Sequence, residues 1–138
     1  MSYAIEDLSP GMSATFAKTV TERDIALFGE VSGDTNPVHF DEEFARATPF
    51  KGRIAHGVLA ASYLSTVLGM EMPGPGTIFV ALNVRFKAPV RIGDTVKATC
   101  TVREVRPERQ RVVFDCACTV GDVAVLEGEA TVIPPRKA

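Results

Sequence analysis

The stretch Ile54 to Met70, IAHGVLAASYLSTVLGM, decides how the rest of the chain must be arranged. It contains no Asp, Glu, Lys or Arg. Its length and its Ala/Leu content predict a helix and not a strand. Val58, Leu59, Leu64, Val67 and Leu68 point in all directions around such a helix. A helix that is apolar all round is wrapped by protein or by lipid. A bilayer span needs about 20 predominantly apolar residues. This run is shorter and holds His56, Ser62, Ser65 and Thr66. The expectation is therefore a central helix that the remainder of the chain encloses.

Downstream, Pro73-Gly74-Pro75-Gly76 stops the helix, and no Gly-Lys-Ser/Thr follows to make a phosphate loop. From Thr77 the period changes to two. Val80, Leu82, Val84 and Phe86 alternate with Ala81, Asn83, Arg85 and Lys87. Val96, Ala98, Cys100 and Val102 repeat the pattern, as do Val112, Phe114, Cys116, Cys118 and Val120. Ala124, Leu126, Ala130 and Val132 line one face of a last strand, after a tight turn at Gly121-Asp122. Long strands and short turns predict an antiparallel meander. The phase slip from Arg103 to Val105 predicts a bulge or strong twist. One helix and one long curled sheet combine in an α+β fold with the antiparallel sheet wrapped around the helix. Each large side chain of the helix buried in this way stabilises by about 1.5–3 kcal/mol.

Upstream, Ala14 to Thr19 predicts a short strand. Thr21, followed by Glu22 and Asp24, predicts a helix start. Ile25, Leu27, Phe28 and Val31 give that helix an apolar face, and Gly33 ends it. Gly33-Asp34-Thr35-Asn36-Pro37-Val38-His39 is a loop by composition, with Asn36 pushed toward extended backbone by Pro37. Asp41 caps a second short helix, Glu42 to Ala47, and Thr48 to Arg53 is a connector.

The totals bound the rest. The 138 residues make a single domain spanning 1–138, and the 46% hydrophobic share is that of a globular chain. A net charge of −2 offers no basic field for nucleic acid or anionic membrane. The N-terminus MSYAIEDLSPG lacks the pattern of a signal peptide. Cys100, Cys116 and Cys118 are expected as small core hydrophobes of a reduced, cytoplasmic protein. Two histidines and no C-x-x-C pair leave no zinc-site pattern, so no metal is expected.

The same two histidines focus the chemistry. His56 opens the predicted helix, and His39 lies in the loop with Asp34 and Asn36. A carboxylate and an imidazole facing one cavity can hold a water, one accepting its proton and the other returning one to a substrate. Partial burial would raise the Asp34 pKa and lower that of His39. The helix start at Gly57 offers unpaired N–H groups to a carbonyl oxygen that becomes negative, and glycine admits a close approach. Plainer readings stand beside these. Asp34 and Asn36 can shape Asx turns, His39 can be a satisfied loop histidine, and Ser62 can bond its own backbone. Arg103, Arg106, Arg109 and Arg111 read as a solvated hairpin tip. Arg85 and Lys87 can meet a phosphate or simply face water.

The run Gly33 to His39, then Phe40-Asp41, then Ile54-Ala55-His56-Gly57 and Ser62, resembles the MaoC-like (R)-specific enoyl-CoA hydratases. The similarity runs from about Pro10 to Val132 and includes Phe86-Lys87-Ala88-Pro89-Val90 and Gly93-Asp94. The resemblance implies a hot-dog fold and a homodimer, or a higher oligomer of dimers, whose sheets join edge to edge. It implies reversible addition of water to a trans-2-enoyl-CoA, giving an (R)-3-hydroxyacyl-CoA. It implies Asp34 and His39 as the catalytic pair, Asn36 as support of the loop, Ser62 as an orienting residue, and the Gly57 amide as donor to the thioester oxygen. Substrate contacts are expected from His56, Val58 and Leu59. No cofactor is implied, since coenzyme A is part of the substrate. Some hot-dog relatives carry their catalytic carboxylate on the central helix; here that helix has none, so the acid must come from elsewhere. A hot-dog thioesterase and a non-catalytic acyl-CoA binding domain are the alternatives.

Overall fold

The computed structural model describes residues 1–137. Five antiparallel strands form one sheet: β1 (Ser13–Thr19), β2 (Ile78–Phe86), β3 (Thr95–Arg106), β4 (Arg111–Val120) and β5 (Val123–Ile133). Their order across the sheet is β1-β3-β4-β5-β2. Only β3-β4-β5 is the expected meander. β1 and β2 take the two edges, and the helices α1 (Glu22–Ser32), α2 (Pro37–Phe40), α3 (Glu42–Arg46) and α4 (Gly57–Thr66) lie between them in the chain.

The central helix starts where it is expected, with His56 at its N-cap and Gly57 as its first residue. Ile54, Ala55 and His56 are not helical, because the Ile54 and Ala55 amides donate to the carbonyls of Val38 (3.3 Å) and Val90 (2.7 Å). α4 begins at Gly57 and continues past Thr66 as a π-helical turn, Val67–Glu71. The sheet's inner face meets it with Val96, Ala98, Cys100 and Val102 of β3, Val112, Phe114, Cys116 and Cys118 of β4, and Leu126, Ala130 and Val132 of β5, all buried. Leu64, Val67 and Leu68 of the helix are buried against them.

Enclosure is incomplete, which corrects the expectation of a helix wrapped all round by its own chain. Val58 (60% exposed), Ser62, Ser65 and Met70 (65%) form an open stripe. β2 is open as well: Val80, Leu82 and Phe86 are exposed, although they alternate as a core face would. It packs tightly on Gly128 of β5, where a Cβ would lie 2.0 Å from the Asn83 carbonyl oxygen.

Local signals placed the remaining elements. Thr21 and Asp24 cap α1 reciprocally, at 3.1 and 3.0 Å, and Gly33 ends it at φ 79°. Of its expected apolar face, Ile25 is buried while Leu27 and Val31 are exposed. The β3–β4 register shifts between Val102 and Glu104, where the phase slip predicts it. All three cysteines are free and buried beneath the helix. Cys100 and Cys116 face each other with sulfurs 3.7 Å apart, and the Cys118 thiol donates to the Ala60 carbonyl at 3.5 Å. Burial pushes Cys118 up to about 12, and the contact with Cys116 together with burial pushes Cys100 up as well. These thiols are core groups with little thiolate to offer a reaction.

Candidate active site

The segment between α1 and α2 is built from its own side chains. The Ser32 hydroxyl donates to the Phe28 carbonyl (2.6 Å) and accepts from the Asp34 amide (3.1 Å). Asp34 Oδ1 accepts from the Asn36 amide at 3.2 Å, an Asx turn. Asn36 Oδ1 accepts from the Val38 amide at 3.2 Å and so caps α2, with Pro37 at its first position. The expected loop from Gly33 to His39 is thus a loop only as far as Asn36. His39 rides on one helical turn, which aims its ring inward and leaves the residue 7% exposed.

The His39 ring is held by its Nδ1, which lies 2.8 Å from the Ile54 carbonyl oxygen. A carbonyl only accepts, so Nδ1 carries the hydrogen and Nε2 keeps a free lone pair. Burial holds the His39 pKa below its ordinary value. The Ile54 contact and the Asp34 carboxylate pull it up, and His56 adds to the lowering. Asp34 is exposed in the single chain, so the partial burial expected for it is not there.

His56 occupies the N-cap position of α4 without capping it. Its Nε2 donates instead to the Asp34 carbonyl oxygen at 2.9 Å. Its ring stacks on His39, with centroids 3.9 Å apart and planes 29° apart. One carboxylate oxygen of Asp34 and one ring nitrogen each of His39 and His56 lie within 4.8 Å of one another. Two hydrogen bonds through one water span about 5.6 Å, so Asp34 and His39 stand close enough to share one. These are metal-ligand residue types, but the rings are stacked and their lone pairs lie in nearly parallel planes. Each ring also has one nitrogen committed to a carbonyl. The geometry suits a water between acid and base better than a four-coordinate ion.

A cleft of about 380 Å³ opens along the start of α4; Asp34 and His39 do not line it, but Ile54, whose carbonyl holds the His39 ring, does. Phe50, Ile54, Val58, Phe86, Val90 and Leu126 give it apolar walls, Gly57 lies on it, and Lys87 is at its side. Gly57 is the first residue of α4, so its amide has no intrahelical acceptor.

The remaining expected site residues separate. Val58 lines this cleft. Leu59 does not; it faces α1 together with Phe28 and Tyr63 on the other side of the helix. His56 is 2% exposed and sits behind His39, so it is a support and not a lining of the cleft. The Ser62 hydroxyl donates to the Leu59 carbonyl at 2.5 Å, the plainer of its two readings, and it bonds neither Asp34 nor His39. Sequence reasoning missed Ser32 and Arg53. Arg53 donates through Nε to the His39 carbonyl (2.7 Å) and through Nη2 to Glu22 (2.9 Å), which pins α2 to α1. Ser32 carried a signal, a hydroxyl in the last helical turn before a glycine; Arg53 carried none.

With this geometry fixed, known proteins can be set beside it. The family described as "MaoC like domain" matches residues 8–122. The chain belongs to the MaoC-like family. It is 54% identical to an (R)-specific enoyl-CoA hydratase of Rhodospirillum rubrum, over 96% of this chain and 92% of that protein. It is 46% identical to a 3-hydroxybutyryl-CoA dehydratase of Methylorubrum extorquens, over 96% and 84%. Among solved structures it matches an (R)-hydratase of Pseudomonas aeruginosa in the unliganded form with a TM-score of 0.90 and 38% identity, covering 97% of this chain and 86% of that one. The hot-dog fold of this MaoC-like chain is thereby shown.

Proposed function

We infer that this MaoC-like chain is an (R)-specific enoyl-CoA hydratase, a hydro-lyase that adds water reversibly to a trans-2-enoyl-CoA and yields an (R)-3-hydroxyacyl-CoA. The observation that carries the reading is the Asp34 carboxylate and His39 imidazole within 4.8 Å, beside the free amide end of α4 and an apolar cleft. The His39 tautomer favours a direction. Nε2 accepts a proton from the shared water as its oxygen adds to C3. The pair returns one proton to C2, so the elements of one water are added across the double bond. The Gly57 amide stabilises the thioester oxygen while it carries the enolate charge. Asn36 holds the loop through its cap on α2. Acid, base and oxyanion donor are all protein groups, so the reading calls for no metal or flavin.

Crotonyl-CoA tests it. The wild-type protein should bleach the enoyl absorbance without releasing a thiol. An inert wild type across enoyl chains of four to twelve carbons sinks the reading, and thiol release would favour the thioesterase.

The acid side of the pH profile follows from the burial of His39. The base works unprotonated, and burial lowers its pKa below 6.5. Activity should therefore persist below pH 6.5 and fall only at lower pH. A kcat/KM profile with its acid limb centred above pH 7 would contradict the assignment.

We also infer that the enzyme works as a homodimer joined along β2. That edge is unpaired in the single chain, with Val80, Leu82 and Phe86 exposed, and long apolar edges are covered in stable proteins. The open stripe of α4 needs a cover too. Light scattering should give twice the chain mass, and Leu82→Lys should lower it; a wild-type monomer at micromolar concentration rules out this interface. No helix among the described residues is long and apolar enough to cross a membrane. The buried free thiols suit a reducing, cytoplasmic setting.

A further inference from the structure

His56 stands out because its burial is costly. It is 2% exposed, and its Nδ1 has no hydrogen-bond partner among the described residues. A buried polar atom left unpaired loses its hydration without compensation, so the position calls for a reason. As N-cap of α4 it would ordinarily satisfy the helix's first amides, and it makes no such bond.

What it does instead joins the two halves of the reactive pair. Nε2 donates to the main-chain carbonyl of Asp34 (2.9 Å) and fixes where the carboxylate-bearing residue sits relative to the amino end of α4. The ring face is the floor on which His39 stacks. Phe28 (4.8 Å) and Phe40 (5.7 Å) pack against the His56 ring, so this floor is itself immobilised. Asp34, His39 and Gly57 come from three different segments; His56 precedes Gly57 directly and touches the other two.

We propose that His56 is the positioning residue of this site, holding the Asp34 backbone and the His39 ring in one fixed geometry against the start of α4. It touches no reacting atom, and its contribution passes through the pair. This rests on the hydratase reading for its kinetic consequence but not for its physical one. The charged and titratable groups around His39 are Asp34 from the loop, His56 from α4, Arg53 at its carbonyl, Glu22 of α1 behind that arginine, and Arg91, which donates to the Arg53 carbonyl. Of these only His56 covers the ring face, so its removal changes the water access of His39 while leaving the other charges in place.

The test uses the fact that the chain has two histidines. In His56→Phe the one remaining imidazole is His39, and its nitrogen resonances can be followed through a pH titration without an activity assay. In the wild type His39 should titrate below 6.5 as the Nδ1–H tautomer. His56→Phe keeps a flat ring but removes the donor to Asp34. kcat should fall by about 10²-fold, the scale of a 1 Å misplacement, with KM changed less than threefold. His56→Gln restores an amide donor but not the ring: kcat should recover by tenfold or more relative to His56→Phe, while the His39 midpoint moves up as water reaches its face. It also serves if His56→Phe does not fold. A role in packing alone would lower thermal stability without moving the His39 midpoint in His56→Gln and without rescue of kcat. An unshifted midpoint in His56→Gln, or full kcat in His56→Phe, overturns the proposal. If the wild type hydrates nothing, the function fails, yet the midpoint still decides the positioning claim.

Discussion

Asp34→Asn should lower kcat for crotonyl-CoA hydration by about 10²–10⁴-fold, the range removed with a general acid or base, while the folded structure stays intact. The amide is isosteric, and its oxygen can still accept from the Asn36 amide that closes the Asx turn. The backbone carbonyl that receives the His56 bond is untouched. The loop is therefore preserved and only the proton-carrying oxygen is lost. His39→Gln should cost about as much, since the shared water loses its acceptor at Nε2. The two changes together should cost little more than either alone, because groups that act on one water as a unit are not additive. Stopped-flow or steady-state loss of enoyl absorbance reads all three. A double variant whose losses multiply would mean that Asp34 and His39 serve separate steps, contrary to one shared water.

How much of this was legible beforehand depends on how local the signal was. The caps at Thr21 and Asp41 lie within three residues of the amides they bind and are read directly, whereas Asn36 reads as part of a loop although its side chain caps α2. The alternation of β3, β4 and β5 gave the inner face of the sheet because both of its neighbours are in the chain. β2 alternates in the same way yet stays exposed, since periodicity shows that a face is apolar and not what covers it. Ile54 and Ala55 belong to the same apolar run as the helix yet lie outside it, and the bonds that hold them there, to Val38 and Val90, cannot be seen in local composition. Leu59 and Val58 are adjacent on an apolar helix, and nothing in the sequence told which side faces the cleft and which faces α1. The pairing of Asp34 with His39 was visible as spacing. The part of His56 was not, because it depends on a main-chain oxygen 22 positions away.

Gly57→Ala should produce the second large loss, and it separates access from folding. Gly57 is a helical first-turn residue, with no positive φ among the chain's special backbone positions, so alanine suits its backbone and raises helix propensity. The cost is outside the helix. A Cβ there would lie 2.8 Å from Phe86 Cδ1 and 2.9 Å from Cε1, too close to stand. Phe86 ends β2 and is 55% exposed in the single chain, outside the buried core, so its ring can turn away without opening that core. Gly57 and Phe86 border the same cleft, so the added methyl and the displaced ring both intrude where the thioester must reach the Gly57 amide. Losing one oxyanion donor costs about 10²–10³ in kcat, and narrowing the cleft raises KM in addition. Thermal stability should change by less than about 1 kcal/mol, within the gain in helix propensity. Phe86→Ala in the same chain removes the clash and should restore part of kcat if ring displacement is the cause. A Gly57→Ala enzyme with wild-type kcat and KM would remove the Gly57 amide from the mechanism and leave the cleft wider than its walls imply.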